Sequence, residues 1–273
     1  MQKNIHSKEE AFHDQWAKNQ NLDVVDIIRA NEAITAPEMR SIAKQIQNHG
    51  GKKILDIGCG LGEVSVYFAY KGYDVTALDI SSEMLKVTKR LAAKYNVSVN
   101  TIHSTAESLN IQKNEKFDII YVGNLFHHVD INETLIKLKP HLKKGGMLIS
   151  WDPLAYNPVI NVYRKMAMEV RTDDEHPITR SDIKLFKQNF LNVKTEYYWL
   201  TTLVIFLIMY FIERRNPNKE RYWKKVVEEG EKWAWIYKPL AIIDRIILFL
   251  IPPLRMLCWN IVITATNPKN KLT

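Results

Sequence analysis

Short apolar runs alternate with amphipathic segments through the first two-thirds of the chain. Segments rich in apolar and β-branched residues predict five strands, at 54–57, 74–80, 98–104, 117–124 and 147–154. The segments between them carry apolar residues at helical spacing, as Met84, Leu85, Val87 and Leu91 do after the second strand. Regular β-α alternation predicts an α/β fold whose parallel sheet places ligands at the carboxyl ends of its strands.

Three glycines, Gly58, Gly60 and Gly62, directly follow the first predicted strand. Glycine allows a sharp turn and lets a ligand approach the backbone closely. The helix predicted beyond the turn would offer N–H groups to an anion. The pattern therefore predicts a loop for a nucleotide-like cofactor.

An aspartate, Asp79, ends the second predicted strand, 17 residues after Gly62. An acid at this strand tip can accept hydrogen bonds from both hydroxyls of a ribose. The alternative role, capping the next helix, suits Ser81 and Ser82 better. We expect Asp79 to bind the ribose.

Composition and charge narrow the class of protein. The chain has 273 residues, of which 46% are hydrophobic, so we expect one large domain or one domain with an elaboration. Cys59 and Cys258 are isolated and suggest neither a disulfide framework nor a zinc site. The polar start of the chain contains no apolar core of a secretion signal. A net charge of +8 permits nucleic acid, acidic substrates or an anionic membrane as partner.

Taken together, five motifs resemble the class I S-adenosylmethionine-dependent methyltransferase family. They are ILDIGCGLG, Asp79, TAESL, FDIIYVGNLFHHVD and KKGGMLIS, and the resemblance covers residues 50–153. A dinucleotide-binding fold fits less well, because its GxGxxG loop would need glycine where Glu63 stands.

The resemblance implies a Rossmann-like, doubly wound sheet of seven strands, the last of them antiparallel. NVKTEYYWL resembles strand six and CWNIVITAT resembles strand seven. We therefore expect an N-terminal helical cap at 1–50, a methyltransferase domain at 51–200 and 259–273, and a hydrophobic helical insertion at 201–258.

The resemblance also implies S-adenosylmethionine as cofactor and assigns residues to it. The methionine part would face Asp56 and the glycine loop, the ribose would bind Asp79, and Asn124 would lie under the sulfonium. Many family members have aspartate at the position of Thr105, so the adenine contact departs from the family pattern. The predicted cofactor contacts are Asp56, Gly58, Cys59, Gly60, Asp79, Ile80, Thr105, Ala106 and Asn124.

Histidines near the expected methyl group are candidates for handling a proton. His127 and His128 follow the fourth strand, and an imidazole can act as a base near neutral pH; alternatively, one of them caps or packs the next helix. Further on, Asp173, Asp174, Glu175 and His176 suit a general base, a metal pair or a solvated loop. We predict His127, His128 and His176 as catalytic residues, with no metal.

The 201–258 insertion combines apolar runs with a basic stretch. Residues 199–212 carry no charge, but as a helix they would span about 21 Å, against about 30 Å of bilayer hydrocarbon. A second run, 246–251, follows a break at Asp244 and Arg245, and basic residues lie between the runs. Two helices lying in a membrane interface fit this pattern. The alternative is a substrate lid or a homo-oligomer interface.

The N-terminal segment carries Phe12, Trp16 and Ala17 at helical spacing. It predicts a helix that docks on the domain or, alternatively, a flap that uses His13 or Trp16.

Three functions follow from these features. The first is methyl transfer to a hydrophobic, quinone-like, isoprenoid or lipid-linked acceptor on the cytoplasmic side of a membrane. The second is the same chemistry on a soluble small molecule, and the third is a membrane-bound interaction protein without turnover. Nucleic acid is the weaker partner, because the basic residues are interleaved with apolar runs. The sequence does not identify the acceptor atom.

Overall fold

A central seven-stranded sheet organises the protein. The computed structural model describes residues 2–18, 20–167 and 175–269. The strands are β1 (Lys53–Ile57), β2 (Asp74–Asp79), β3 (Asn100–His103), β4 (Phe117–Gly123), β5 (Leu142–Pro153), β6 (Phe190–Tyr198) and β7 (Asn260–Pro268). Their order is β3-β2-β1-β4-β5-β7-β6, and β7 runs antiparallel to both of its neighbours. The predicted Rossmann-like sheet with an antiparallel last strand is confirmed.

Helices cover both faces of this sheet. In chain order they are α1 (Gln2–Lys18), α2 (Ile27–Glu32), α3 (Pro37–His49), α4 (Glu63–Tyr70), α5 (Ser82–Lys94), α6 (Ile131–Leu138), α7 (Pro158–Met166), α8 (Arg180–Asn189), α9 (Val204–Leu207), α10 (Tyr222–Glu228) and α11 (Gly230–Leu250). On β4, Ile119 and Tyr121 pack with α3, α4 and α5, whereas Ile120 and Val122 pack with α6 and α8. Both faces of the strand are buried, which explains its unbroken apolar run.

The order of the sheet reverses between β1 and β4, which pair in parallel from Ile54↔Ile119 to Ile57↔Val122. Ligands of doubly wound sheets bind outside the carboxyl ends at such a switch point. The glycine loop after β1 and the segment after β4 both begin there.

One predicted strand boundary differs from the structure. The sequence predicts the fifth strand over 147–154, whereas β5 begins at Leu142, because pairing with β4 begins there and resumes, after a register shift, at Met147. Of the acidic cluster that follows α7, Asp173 and Asp174 lie outside the described residues.

The chain between β6 and β7 folds into short helical turns over 201–212, then α10 and α11. Helix α11 continues through Asp244, where the sequence suggested a break. The buried Asp244 carboxylate accepts hydrogen bonds from the backbone N–H groups of Leu200 and Thr201, at 3.0 and 2.6 Å, and from the Thr202 hydroxyl, at 2.9 Å. This cap joins α11 to the start of the insertion.

The insertion also has its own apolar core, formed with Trp199 and Ile160. It includes Leu203, Ile205, Phe206, Met209, Tyr222, Val226, Trp233 and Tyr237. Across the three described ranges, no helix has both the length and the apolar character that a membrane crossing requires.

Candidate active site

The glycine loop folds back onto the end of β2. The backbone N–H groups of Gly58 and Cys59 donate to the carbonyl of Leu78, at 2.8 and 3.1 Å. Gly60 has φ +53° and Gly62 has φ +79°, a region that favours glycine. A Cβ on Gly62 would lie 2.5 Å from Thr88 of α5, whereas a Cβ on Gly60 would meet nothing within 4 Å. Gly62 therefore permits close packing, and Gly60 borders open space.

Asp79 lies at the end of β2 and is linked to this loop. One carboxylate oxygen accepts from the Gly60 N–H and the other from the Ser81 N–H, each at 2.8 Å. Burial raises the pKa of Asp79 to about 6, although these two hydrogen bonds oppose the shift. The Ser81 hydroxyl caps α5 by accepting from the Met84 N–H at 3.0 Å. This geometry agrees with the expectation that a serine, and not Asp79, caps the helix after β2.

Asp56, on β1, is buried under the loop. One of its oxygens accepts from the Ser65 hydroxyl at 2.5 Å. The other, Oδ1, is buried and has no hydrogen-bond partner among the residues that the structure describes. Burial raises the pKa of Asp56 to about 7. A cationic or hydrogen-bond-donating ligand at this position would stabilise the ionised carboxylate.

A cavity of about 470 Å³ opens on the β2–β3 side and is lined by residues that include Ile80, His103, Ser104, Thr105 and Glu10 of α1. Thr105 uses its hydroxyl to cap the following turn, accepting from the Ser108 N–H at 3.0 Å. Ala106 is buried in the core. The predicted adenine residues Ile80 and Thr105 thus line one cavity, whereas Ala106 packs in the core and does not line it.

The remaining predicted cofactor residues lie around the switch point. Asn124 has φ +55°, and its N–H donates to the carbonyl of Trp151 at 2.7 Å. The Cys59 sulfur lies 3.8 Å from the Thr88 hydroxyl, so its side chain is directed toward α5. Any ligand contact by Cys59 would accordingly use its backbone.

His127 is held by an aspartate at the end of β5. Its Nδ1 lies 2.9 Å from Oδ1 of Asp152, and its backbone N–H donates to the same oxygen at 3.3 Å. Both side chains are buried, and burial raises the pKa of the Asp152 carboxyl. This contact fixes the orientation of the imidazole and directs Nε2 away from Asp152.

His128 and Glu175 complete a cluster with His127. One ligand-type atom from each of the three side chains lies within 4.8 Å of the others. The exposed His176 side chain is not part of this cluster, but the His176 N–H donates to the His127 carbonyl at 2.7 Å. The structure therefore brings together two of the three predicted catalytic histidines and adds the neighbouring glutamate.

Helix α1 covers the site. Ala17 is buried against Leu61 of the glycine loop and Met84 of α5. On the preceding turns of α1, Asp14 accepts from the Ser81 hydroxyl at 2.5 Å, and Glu9 lies 3.1 Å from Nδ1 of His128. This position is compatible with both interpretations of the segment, the docked helix and the flap.

The insertion contacts α1 as well. The Arg221 guanidinium lies 3.9 Å from the centre of the Trp16 ring. His13, one turn before, is next to Glu9, His128 and Arg221, and burial lowers its pKa. Cofactor loop, helix α1 and insertion therefore meet at one place.

The match to known proteins supports this description. Residues 54–146 match the family model described as a methyltransferase domain. The matched stretch runs from β1 into β5 and includes the glycine loop, Asp79 and the segment after β4. The similarity to a ubiquinone biosynthesis O-methyltransferase of Rickettsia akari is 29% identity over 148 residues, or 52% of this chain and 55% of that protein. The chain thus spans about half the length of this curated relative.

Two solved structures share the fold. A putative sarcosine dimethylglycine methyltransferase from Galdieria sulphuraria aligns with a TM-score of 0.55 at 14% identity, covering 84% of each chain. The phosphoethanolamine N-methyltransferase 2 of Haemonchus contortus, in complex with S-adenosylmethionine, aligns with a TM-score of 0.53 at 19% identity, over 84% of this chain and 53% of that one.

The residues of this site fit S-adenosylmethionine, the cofactor that the family resemblance implies. The unpartnered Oδ1 of Asp56 suits the cationic methionine end, Gly60 borders open space, and the cavity beside Ile80 has room for a base. The Asp79 carboxylate retains acceptor capacity beyond the N–H groups of Gly60, Ser81 and Ile80, because a carboxylate offers about four lone-pair sites. The individual contacts stay predictions.

Several residues of this site were missed from the sequence, namely Asp152, Glu9, Asp14, Ser65 and Arg221. Asp152 carried a usable signal, because an acid at the carboxyl end of the strand next to β4 must lie near the segment after β4. The others come from packing between distant parts of the chain, which no local pattern reports.

Proposed function

We propose that this protein is an S-adenosylmethionine-dependent methyltransferase that acts on a hydrophobic or amphiphilic acceptor at a membrane surface. The observation that carries the proposal is an apolar stripe on the outside of α11, which belongs to the same insertion whose Arg221 contacts α1 beside the glycine loop. Trp235, Ile242, Ile246 and Phe249 recur at helical spacing, and Trp235 and Phe249 are 75% and 77% exposed. We call these four residues the α11 stripe.

A second exposed apolar group supports a membrane contact. Tyr210, Phe211 and Ile212 end the first helical turns of the insertion and are also exposed. Exposed apolar patches of this kind mark surfaces that meet a membrane or a partner. Since Trp and Tyr favour the membrane interface, an interface-lying position fits the composition of both groups.

The basic residues contribute less to this contact than their number suggests. Arg215 is paired with Glu213, Glu220 and Glu229, and Lys225 with Glu228. Arg221 lies over Trp16. Because these cations are already paired within the protein, we expect membrane binding to depend on apolar burial and only weakly on anionic lipid.

The acceptor is inferred from the same surface. The named activity of the Rickettsia relative, an O-methyltransferase of ubiquinone biosynthesis, agrees with a quinone-like acceptor. Such a molecule would partition into the bilayer and reach the site past the insertion. A peripheral position on the cytoplasmic side of a membrane follows as part of the proposal.

The chemistry follows from the residues of the site. Bound S-adenosylmethionine supplies an activated methyl group for in-line displacement. Asp79 would hold the ribose, and Asp56 the methionine end. An oxygen acceptor must also lose a proton, and His127 and His128, with Asp152 orienting His127, are the groups that serve this loss.

Vesicle sedimentation tests the membrane part of the proposal. We expect the full chain to sediment with neutral phosphatidylcholine vesicles and the double variant Ile246→Ser, Phe249→Ser to stay in the supernatant. Leu191→Ser removes an exposed apolar residue of β6 and serves as control, which should sediment like the wild type. S-adenosylmethionine affinity should be the same in all three.

Other outcomes would redirect the proposal. Wild-type protein that remains in the supernatant would contradict membrane binding. A dimer that dissociates in the double variant would identify the α11 stripe as an oligomer contact. The rate of methyl transfer should be higher with a prenylated phenol than with the same phenol lacking the prenyl chain. Equal rates would support the soluble acceptor.

A further inference from the structure

We propose that His127, His128 and Glu175 form a binding site for a divalent transition-metal ion. Their ligand atoms lie within 4.8 Å of one another. Two imidazoles and one carboxylate are a ligand set of zinc sites that keep a further position open, and of related transition-metal sites. Tetrahedral zinc needs neighbouring ligand atoms roughly 3.4 Å apart, so small side-chain rotations would close the set.

His127 is already oriented as a metal ligand would be. Ligating histidines generally give their other ring nitrogen to a carboxylate or carbonyl, which fixes the tautomer and the plane of the ring. Here Asp152 lies 2.9 Å from Nδ1, and both side chains are buried. Nε2 is then the nitrogen that an ion would use.

Backbone pairing positions Glu175 beside this histidine. Ile178 forms a parallel bridge with Leu154 at the end of β5, and its N–H donates to the Pro153 carbonyl at 2.9 Å. The N–H of His176 donates to the His127 carbonyl at 2.7 Å. Glu175 therefore belongs to a segment held against the site at several points, which distinguishes it from an acid on a solvated loop.

His128 brings a fourth possible donor within reach. Its Nδ1 is buried and lies 3.1 Å from Oε1 of the buried Glu9, yet the geometry of this contact is not that of a hydrogen bond. A nitrogen and a carboxylate oxygen side by side, without a shared proton in good geometry, suit coordination of one cation. Because Glu9 lies on α1, the helix that covers the site would supply this additional ligand.

Oxygen donors lie beside the nitrogen donors of this cluster. The carboxyl groups of Glu9, Glu175 and Asp152 lie around the two imidazoles, a mixture of nitrogen and oxygen ligands that suits a divalent transition metal. The ion would also have a role that rests on the proposed methyl transfer: it would bind an acceptor oxygen and lower its pKa, so that the proton leaves more readily.

Cobalt titration of the full-length, untagged chain tests the site without the cofactor. After treatment with a chelator, we expect one Co²⁺ per chain, with visible absorption bands that Zn²⁺ abolishes by displacement. His128→Gln and Glu175→Gln should weaken Co²⁺ binding by tenfold or more. Asp152→Asn, which alters only the group behind His127, should weaken it by about 10- to 100-fold.

His176→Gln is the matched control, because this exposed histidine neighbours Glu175 but lies outside the cluster. It should bind Co²⁺ like the wild type. Thermal unfolding of each variant identifies any that fail to fold. If the wild type binds no Co²⁺, or if the folded Glu175→Gln and His176→Gln variants bind it equally well, the cluster is a set of hydrogen bonds and ion pairs only and the metal site is refuted.

Two further measurements separate this inference from the proposed function. S-adenosylmethionine binding is followed by calorimetry, and turnover is followed with and without chelator. Metal binding without any methyl transfer would count against the proposed function alone. Methyl transfer that continues unchanged in a chelator-treated protein would overturn the catalytic role of the ion.

Discussion

Two regions of the protein differ in where their apolar residues lie: the sheet with its glycine loop, which we call the cofactor half, and the 201–258 insertion. On β4 successive side chains enter the core on opposite faces of the sheet, and Ile119 and Ile120 are both fully buried. On α11 the acid Asp244 is buried, while its apolar neighbours Ile243 and Phe249 are exposed. Similar hydrophobicity therefore means core in one region and surface in the other. The two regions differ in where the hydrogen-bonding partners of their backbone and polar side chains lie.

This difference shows where an apolar sequence pattern is sufficient to predict burial. In the sheet, an apolar run can satisfy its backbone only by pairing with a neighbour, so the run predicts burial. A helix satisfies its own backbone and can turn either face outward. In α11, the hydrogen bonds from the 200–202 segment to Asp244 set which face is inside.

The largest effect should come from removing that acid. Asp244→Ala leaves the N–H groups of Leu200 and Thr201 and the Thr202 hydroxyl without their acceptor. We expect the free energy of unfolding to fall by about 3–4 kcal/mol, because several donors bonded to a charged group are left buried. Urea unfolding measures this loss.

Arg245→Ala is the control, since the neighbouring arginine is exposed and should cost less than about 0.5 kcal/mol. Calorimetry with S-adenosylmethionine then tests the comparison itself. Cofactor affinity that survives in Asp244→Ala would show that the two regions are energetically separate. Affinity that collapses with the insertion would contradict that separation.

The converse experiment changes the cofactor half alone. Asp79→Asn keeps the shape of the side chain but removes the charge that we assign to the ribose. We expect S-adenosylmethionine to bind about 10- to 100-fold more weakly, since a hydrogen bond to a charged group contributes about 1.5–3 kcal/mol. Asp74→Asn, at the exposed start of the same strand, should leave the affinity unchanged.

The pH dependence gives a second measure of the same residue. Burial raises the Asp79 pKa to about 6, so the carboxylate takes up a proton as the pH falls below that value. Cofactor affinity of the wild type should therefore decline from pH 7 to pH 5, and the Asp79→Asn variant should show a flatter profile. An identical decline in both proteins would assign the titration to another group, such as Asp56.

Much of the cofactor half could be predicted from the sequence, because its signals are local. The spacing of Gly58, Gly60 and Gly62 after an apolar strand defined the loop, and the tip of β2 defined Asp79. The seven strands were also predicted correctly. In each case the backbone geometry needed at one position restricts which residue can stand there.

The rest of the site depends on contacts between distant segments. Glu175, and not His176, reaches the histidines because of how 175–178 pairs with the end of β5. Glu9 joins them only because α1 packs across the loop. Which of two adjacent side chains points into the site depends on how their segment pairs with a distant strand. Neither residue spacing nor composition predicts that pairing.

A buried acid between the two regions should respond to pH. Glu38 accepts from the Asn260 side chain at 2.7 Å, and burial raises its pKa to about 7. Since the unfolded chain ionises this group near pH 4.5, the folded state binds more protons between about pH 4.5 and 7. Its contribution to stability is therefore present at low pH and is lost as the pH rises through that range.

Glu38→Gln removes this loss. We expect the variant to match the wild type at pH 5 and to exceed it by about 1–3 kcal/mol at pH 8, as measured by urea unfolding. Glu32→Gln is the opposite control: the pKa of Glu32 is lowered by Lys71, so its replacement should not stabilise the protein at pH 8. A Glu38→Gln variant that is less stable than the wild type at pH 8 would show that the ionised carboxylate is well accommodated.

The smallest expected effect concerns the contact between a cation of the insertion and an aromatic ring of α1. Arg221→Ala removes the guanidinium 3.9 Å from the Trp16 ring, a type of contact that contributes about 0.5–2 kcal/mol. If the insertion helps to hold α1 over the glycine loop, hydrogen exchange in the second half of α1 should speed up and S-adenosylmethionine affinity should fall a few-fold. Lys219→Ala, in the same basic stretch, should change neither. Unchanged α1 exchange in Arg221→Ala would mean that Ala17 and Asp14 alone fix the helix, so that the insertion meets the acceptor without influencing the cofactor.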